Sequence, residues 1–297
     1  LEEGYHAEGI DTFDPHYSEG LKRKNVEEIR GTGHEDKFKL VNGSINSTED
    51  LQDLSKRPDK VFHLAAKPGT RSSIGRLPEY RRTNVQGTSN VLEYFEPVKK
   101  LVYMSSSSIY GEKNLSELPV KEEDTRNPQN PYAKTKLEAE RMVKEKTSEG
   151  VETVALRPVT VVGPRQRPDE MFTSFISDIV DGNSINVYGD GSQSRDFTPV
   201  DDVVSGALKA SERGSGVYNL GRGRRSTVRE IIEIMDERLP HDIKVDYGER
   251  RDGDVSHTHA DIERAKTELG FEPSDEIEDT VVKTIKWVKD MKERNLL

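Results

Sequence analysis

The sequence predicts an α/β protein: a doubly wound parallel sheet followed by a smaller C-terminal α/β lobe. Three observations carry this reading. Short apolar strands alternate with charged amphipathic stretches over the first half of the chain, the signature of strands wound together through helices. After Gly163 the alternation loosens into Gly/Pro/Asp-rich turns around Pro164 to Asp169 and Gly189 to Gly191, as expected of a lobe built from excursions. At 297 residues the chain is long enough for a large domain plus such a lobe, each with its own core. We therefore divide it into residues 1–163, a nucleotide-type domain, and 164–297, a substrate lobe from which some segments return to the large domain.

In chain order the expected strands run from His6 to Asp11, Phe38 to Asn42, Lys60 to Ala65, Lys100 to Ser105 and Val151 to Leu156. Ser47-Thr48-Glu49-Asp50 reads as a capping box opening one of the intervening helices. Near the C-terminus, Ile277, Val281, Ile285, Val288 and Met291 form a helical stripe with Trp287 among them, expected to pack on the small lobe.

Composition narrows the partners. A net charge of -10 and a pI near 5.4 argue against nucleic acid or an anionic membrane surface. The longest apolar runs are strand-sized, too short to span a bilayer. With 0 cysteines, disulfides and thiolate metal sites are excluded, which fits a cytoplasmic protein. His257, His259 and Asp261 alternate along one strand and are ligand types, but a strand leading into a small helix is the better reading, and no metal is expected.

The chemistry concentrates between Ser106 and Lys136. A serine-rich strand end, Ser105-Ser106-Ser107-Ser108-Ile109-Tyr110-Gly111, precedes a segment that opens Asn130-Pro131-Tyr132-Ala133-Lys134-Thr135-Lys136. Asn130 suits an N-cap and Pro131 the first helical position, so Tyr132 and Lys136 share a helix face one turn apart. Turning a phenol into a base at neutral pH takes about 3 pKa units, about 4 kcal/mol. An ammonium ~4 Å away supplies about that much at an effective dielectric near ~20. A lysine beside a tyrosine is thus a sufficient device for a phenolate base, and a serine hydroxyl from the neighbouring strand can share the substrate proton.

Further segments stand in a telling order: Lys60-Val61-Phe62-His63-Leu64-Ala65-Ala66 before that region, then Leu156-Arg157-Pro158-Val159-Thr160-Val161-Val162-Gly163-Pro164 and Gly189-Asp190-Gly191-Ser192-Gln193-Ser194-Arg195-Asp196-Phe197 after it. Together they resemble the extended short-chain dehydrogenase/reductase family, specifically its NAD-dependent nucleotide-sugar epimerases and dehydratases of the UDP-glucose 4-epimerase type. The resemblance covers nearly the whole chain and implies a Rossmann-like domain and a catalytic set of Ser106, Tyr132 and Lys136. One segment is missing from it. The family's first strand and Gly-x-x-Gly-x-x-Gly loop, whose amides hold the cofactor pyrophosphate, would lie before Leu1, so this sequence is expected to be a piece of a longer chain. The 297-residue form alone is then expected to be nearly inert.

The resemblance places the cofactor residues at strand ends. Asp11 ends the second strand of the family's order; a carboxylate there accepts hydrogen bonds from ribose hydroxyls and repels a 2′-phosphate, favouring NAD over NADP. Ser44 and Ile45 stand beside the adenine, with serine where the family usually has an acid. Leu64, Ala65 and Ala66 let the cofactor lie close to the backbone, and Pro158, Tyr132 and Lys136 complete the set. Asn84 matches an asparagine of the next helix, with a helix-start cap as its alternative. For the substrate, a UDP-sugar, Arg195 and Arg251 match diphosphate-binding arginines and Asp254 a ribose contact, with Ser106, Ser108, Tyr132, Thr160 and Tyr188 around the sugar. Arg222, Arg224 and Arg225 read as a solvated turn.

Related dehydratases have acids at the two positions after the catalytic hydroxyl; here both are hydroxyls, Ser107 and Ser108, which leaves epimerisation at C4 through a transient 4-keto sugar. The alternatives are a reductase or another epimerase of the same family, or a non-catalytic nucleotide-binding scaffold. A homodimer is expected through helices at about Asn84 to Phe95 and Tyr132 to Lys146, with Val85, Leu92, Phe95, Leu137, Met142 and Val143 as its modest apolar surplus.

Overall fold

A computed structural model describes residues 1, 4–96, 98–239, 243–250, 255–274 and 276–297. Strands β1 (Ala7–Asp11), β2 (Phe38–Asn42), β3 (Lys60–His63), β4 (Lys100–Met104) and β5 (Glu152–Pro158) fall where the sequence expects them, separated by helices α1 (Glu19–Arg30), α2 (Thr48–Leu51), α3 (Leu77–Arg81), α4 (Gly87–Tyr94) and α5 (Pro131–Ser148). The strands pair in parallel, as alternation with helices requires. They form two ladders: β1 with β2, and four strands in the order β10-β5-β4-β3, where β10 (Gly216–Leu220) returns from the C-terminal half. Among the described residues, β1 and β3 share no ladder.

Central strand β4 shows why these runs are almost wholly apolar. Leu101 and Tyr103 face one side, in the core shared with Val91 and Phe95 of the α4 region and Ala139 and Val143 of α5. Val102 faces the other, in the core shared with Val203 and Ala207 of α7 (Val200–Glu212). A parallel strand covered by helices on both faces must be apolar on both. The same packing takes Leu92, Phe95, Leu137 and Val143 into this chain's own core.

Two edges differ from expectation. β3 stops at His63 rather than Ala65, because Asn84 pulls the chain away: its carboxamide accepts from the Lys67 N–H at 2.7 Å and donates to the Lys67 carbonyl at 3.1 Å. β5 runs on to Pro158, because β10 continues the ladder to Leu220. The Ser47 cap forms, accepting from the Asp50 N–H at 3.1 Å, while the Asp50 carboxylate reaches back to Ser44 N–H at 2.7 Å.

The C-terminal lobe has its own core. α6 (Met171–Val180), α8 (Val228–Arg238) and α9 (Ile277–Glu293) close around Phe197, Ile185 and Val187, with β7 (Ile185–Tyr188) paired to β12 (Val245–Gly248). The expected stripe of α9 is its buried face, with Trp287 partly buried against it. Among the described residues, no helix is long and apolar enough to cross a membrane.

Candidate active site

Of the expected site residues, Asp11, Ser44, Leu64, Ser106 and Pro158 lie at or just past the C-terminal ends of the parallel strands. Helix α5 starts as the sequence requires: the Asn130 side chain accepts from the Ala133 N–H at 2.9 Å and Pro131 opens the helix. Ser106 lies just past β4 and caps a single 3₁₀ turn, Ser107–Tyr110, accepting from the Ser108 N–H at 3.2 Å with its hydroxyl 2.9 Å from that of Ser108. The turn closes on Gly111, whose φ is 73° and where a side-chain carbon would meet the Asn127 carbonyl at 2.1 Å, so only glycine fits.

Burial raises the Tyr132 hydroxyl above the ordinary phenol value, while a hydrogen bond from Ser106 and the positive charge of Arg167 act to lower it. Lys136 is 3% exposed, and burial brings its pKa down to about 7, with Glu140 pulling the other way. Its ammonium lies 4.5 Å from the centroid of the Tyr103 ring. The lysine–tyrosine pairing expected from the sequence is therefore one part of a larger device. Burial draws the lysine towards neutrality, so the charge the simple argument relies on depends on what surrounds the ammonium; Ser106 and Arg167 also act to lower the phenol, with Glu170 opposing them.

Arg167 is the residue that sequence reasoning missed. It lies in the Pro164 to Asp169 stretch read only as turns, and forms a bidentate pair with Asp169 at 2.9 and 3.0 Å plus a contact to Glu170 at 2.6 Å. Its charge and Tyr132 each affect the ionisation of the other, with Glu170 opposing it at Tyr132. The signal was an arginine between two acids and a proline, which reads equally as a solvated turn.

Beneath α5 lies a buried polar network. Arg157, 0% exposed, donates to both oxygens of Glu140 at 3.0 and 2.6 Å, and to the Tyr110 hydroxyl at 2.7 Å. Ser105 donates to the same Glu140 at 2.6 Å. This ties β4, β5, the 3₁₀ turn and α5 together around the Ser106–Tyr132 pair.

At the other strand ends, Asp11 is exposed and uses one oxygen to accept from the Phe13 N–H at 2.6 Å. Ser44 builds its own turn, accepting from the Asn46 N–H at 3.1 Å, and Ile45 is buried in the core against Gly87. Leu64 is exposed, Ala65 and Ala66 are half-buried, and Pro158 ends β5 half-buried. Asn84 is not the helix-start cap that was its alternative: it sits inside a π-helical turn, Arg82–Gln86, and both its N–H groups are spent on Lys67 and Thr135. The residues present fit a dinucleotide along this edge. Asp11 keeps a carboxylate oxygen outward, Leu64 offers exposed apolar surface, and the buried Asn46 Oδ1 has no partner among the described residues.

Just past β5, Thr160 sits at φ 28°, a strained value for a β-branched residue, with its hydroxyl 3.4 Å from that of Thr258. Arg195 donates to the carbonyls of Ser194, Ser256 and Val255, and so braces the 255–256 backbone. Tyr188 ends β7, half-buried. Arg251 and Asp254 lie outside the described residues. Arg222 is corrected: it is 5% exposed, not solvated, because the Asp196 carboxylate accepts from the N–H groups of Arg222 and Gly223 and draws the turn inward. His257 and His259 bond separately, to Ser194 at 2.8 Å and the Gly223 carbonyl at 3.1 Å.

A doubly wound sheet with a serine, a tyrosine and a lysine converging at its strand ends defines a short-chain dehydrogenase/reductase-type enzyme. The chain belongs to the NAD dependent epimerase/dehydratase family, whose profile matches residues 12–221. It is 33% identical over 299 residues to the UDP-glucuronate 4-epimerase of Thermodesulfobacterium geofontis, covering 98% of this chain and 90% of that one. Among solved structures, UDP-glucuronic acid 4-epimerase from Bacillus cereus, in complex with UDP-glucuronic acid and NAD, superposes with a TM-score of 0.88 at 30% identity, covering 97% of this chain and 92% of that chain. UDP-glucose 4-epimerase from Thermotoga maritima, with UDP-glucose, gives 0.85 at 29% identity over 98% and 93%.

Proposed function

We propose that this protein is an NAD-dependent nucleotide-sugar 4-epimerase acting on a UDP-sugar, with a UDP-hexuronate as the foremost substrate. The observation that carries the reading is Tyr132 on α5, one helical turn from Lys136, with Ser106 and Arg167 near enough to act on the ionisation of its hydroxyl. Tyr132 takes the proton from the sugar 4-hydroxyl, Ser106 orients that hydroxyl, and the cations lower the cost of the phenolate. NAD, when bound, accepts hydride from C4 and returns it. Asp11 would hold its ribose, Leu64 to Ala66 would lie along it, and Lys136 would serve both it and the phenol. The 4-keto sugar turns over between the two half-reactions, so that C4 presents its opposite face for the returning hydride, and Tyr132 returns the proton to the C4 oxygen. No carboxylate stands at Ser107 or Ser108 to drive elimination of water, which favours epimerisation over dehydration. The likeness to UDP-glucuronate 4-epimerases favours a sugar that carries its own carboxylate.

The same reading assigns residues 1–163 to the cofactor and 164–297 to the sugar nucleotide, with Thr160, Tyr188, Arg195, Arg251 and Asp254 on the substrate side. It takes the enzyme to be a cytoplasmic homodimer paired through α4 and α5; a sedimentation experiment showing monomer at tens of micromolar would remove the dimer. The test of the chemistry is Tyr132→Phe. It should abolish turnover while leaving UDP-sugar binding within a few-fold, because only an interaction of the reacting proton is lost. Near-normal kcat in that variant would defeat the assignment.

A further inference from the structure

Lys136 has little around it to stabilise an ammonium. The groups facing it come from three elements: Tyr132 and Glu140 on α5, Tyr103 on β4 and His63 on β3. Both Glu140 oxygens are occupied, one by Arg157 alone and the other by Arg157 and Ser105. His63 is buried and held neutral, its pKa brought down to about 3. That leaves the Tyr103 ring, whose face lies 4.5 Å from Nζ.

We propose that Tyr103 is a positioning residue for the reaction, its ring face seating the Lys136 ammonium and so keeping beneath Tyr132 the charge that the phenolate needs. This rests on Tyr132 being the base. Three observations support it. Tyr103 is 1% exposed and its hydroxyl has no partner among the described residues, a costly arrangement if the hydroxyl served only to fill space. It is therefore the ring, not the hydroxyl, whose contacts define this position. The ring is held from behind by His63, centroids 5.4 Å apart and planes tilted by 42°. His63 in turn lies 2.8 Å from the Thr88 hydroxyl, which donates to the Asn84 carbonyl at 2.7 Å. The stack runs from α4 through β3 and β4 to the lysine. An aliphatic residue of similar size would fill the volume but present no negative face to the cation.

The experiment measures kcat and KM against pH for the full enzyme with Tyr103→Leu, Tyr103→Phe and Tyr103 replaced by pentafluorophenylalanine, with Tyr132→Phe alongside. Without the ring face, Lys136 gives up its proton at lower pH and Tyr132 ionises at higher pH, so the form carrying both phenolate and ammonium becomes scarcer and the two limbs of the pH profile move apart. Tyr103→Leu should move them apart by about one pH unit or more and lower kcat by about tenfold at the optimum, with KM within about twofold. Tyr103→Phe should restore both. Pentafluorophenylalanine keeps the shape of the ring but reverses its face, so it should behave like Leu even if the Leu variant folds poorly. An unchanged profile for the fluorinated protein, or a Phe variant as impaired as Leu, would overturn the proposal. An active Tyr132→Phe would instead defeat the reading beneath it.

Discussion

Arg157 donates two hydrogen bonds to Glu140, at 3.0 and 2.6 Å, in a place from which solvent is wholly excluded around the arginine. Neither residue carries the proposed chemistry, yet the pair joins β5 to α5, and through Ser105 it fixes the strand end that presents Ser106. A buried pair of this kind is weak evidence of net stability, but removing one partner leaves the other charged and unpaired. Arg157→Met should therefore cost about 3–5 kcal/mol in urea unfolding, and adding Glu140→Leu should recover much of it. A single variant that loses under about 1 kcal/mol would show that the pair does not hold this junction.

His63 sets the acid side of the stability curve. Its folded pKa is about 3 against an ordinary 6.5, because burial opposes the imidazolium and Lys136 adds to that. For a base lowered in the folded state, the unfolded chain binds the extra proton between those two values. Stability is then unaffected above pH 6.5 and falls as pH drops towards 3, by an amount on the order of 4 kcal/mol. His63→Gln should flatten the fall in Tm between pH 7 and pH 4; a parallel fall in both proteins would show that other groups dominate.

Asp11 should govern cofactor choice. Its carboxylate is exposed at the end of β1 with one oxygen committed to Phe13, so the other remains to meet a ribose hydroxyl and to repel a 2′-phosphate. NAD should bind at least about tenfold tighter than NADP by calorimetry, and Asp11→Ala should narrow that gap. Equal affinities in the parent protein would show that the carboxylate does not face the ribose.

Much of this was legible in the chain. The strands at Phe38 and Lys100 and the capped start of α5 rest on local signals: apolar run length, Asn-Pro chemistry and helical period. What escaped depends on distant partners. The role of Arg167 needs the proximity of Tyr132 across the fold, which no spacing encodes. Arg222 looked solvated because Asp196, 26 residues earlier, draws its turn inward. Asn84 matched a motif position, but its hydrogen bonds to Lys67 and Thr135, 17 and 51 residues away, show it shaping the loop after β3. Apolar spacing on α4 and α5 has the same limit: it shows that a face is buried, not what buries it.

The central claim is tested most directly by following the C4 hydrogen. The protein as the cell makes it, supplied with NAD and UDP-glucuronate tritiated at C4, should interconvert it with its C4 epimer. The label should stay on the sugar through many turnovers, with no NADH accumulating, because the hydride is returned in the same site. UDP-glucose under identical conditions should turn over at least about tenfold more slowly, as expected if a UDP-hexuronate is the preferred substrate. Release of tritium to water, stoichiometric NADH, or binding of UDP without conversion of either sugar would contradict the account.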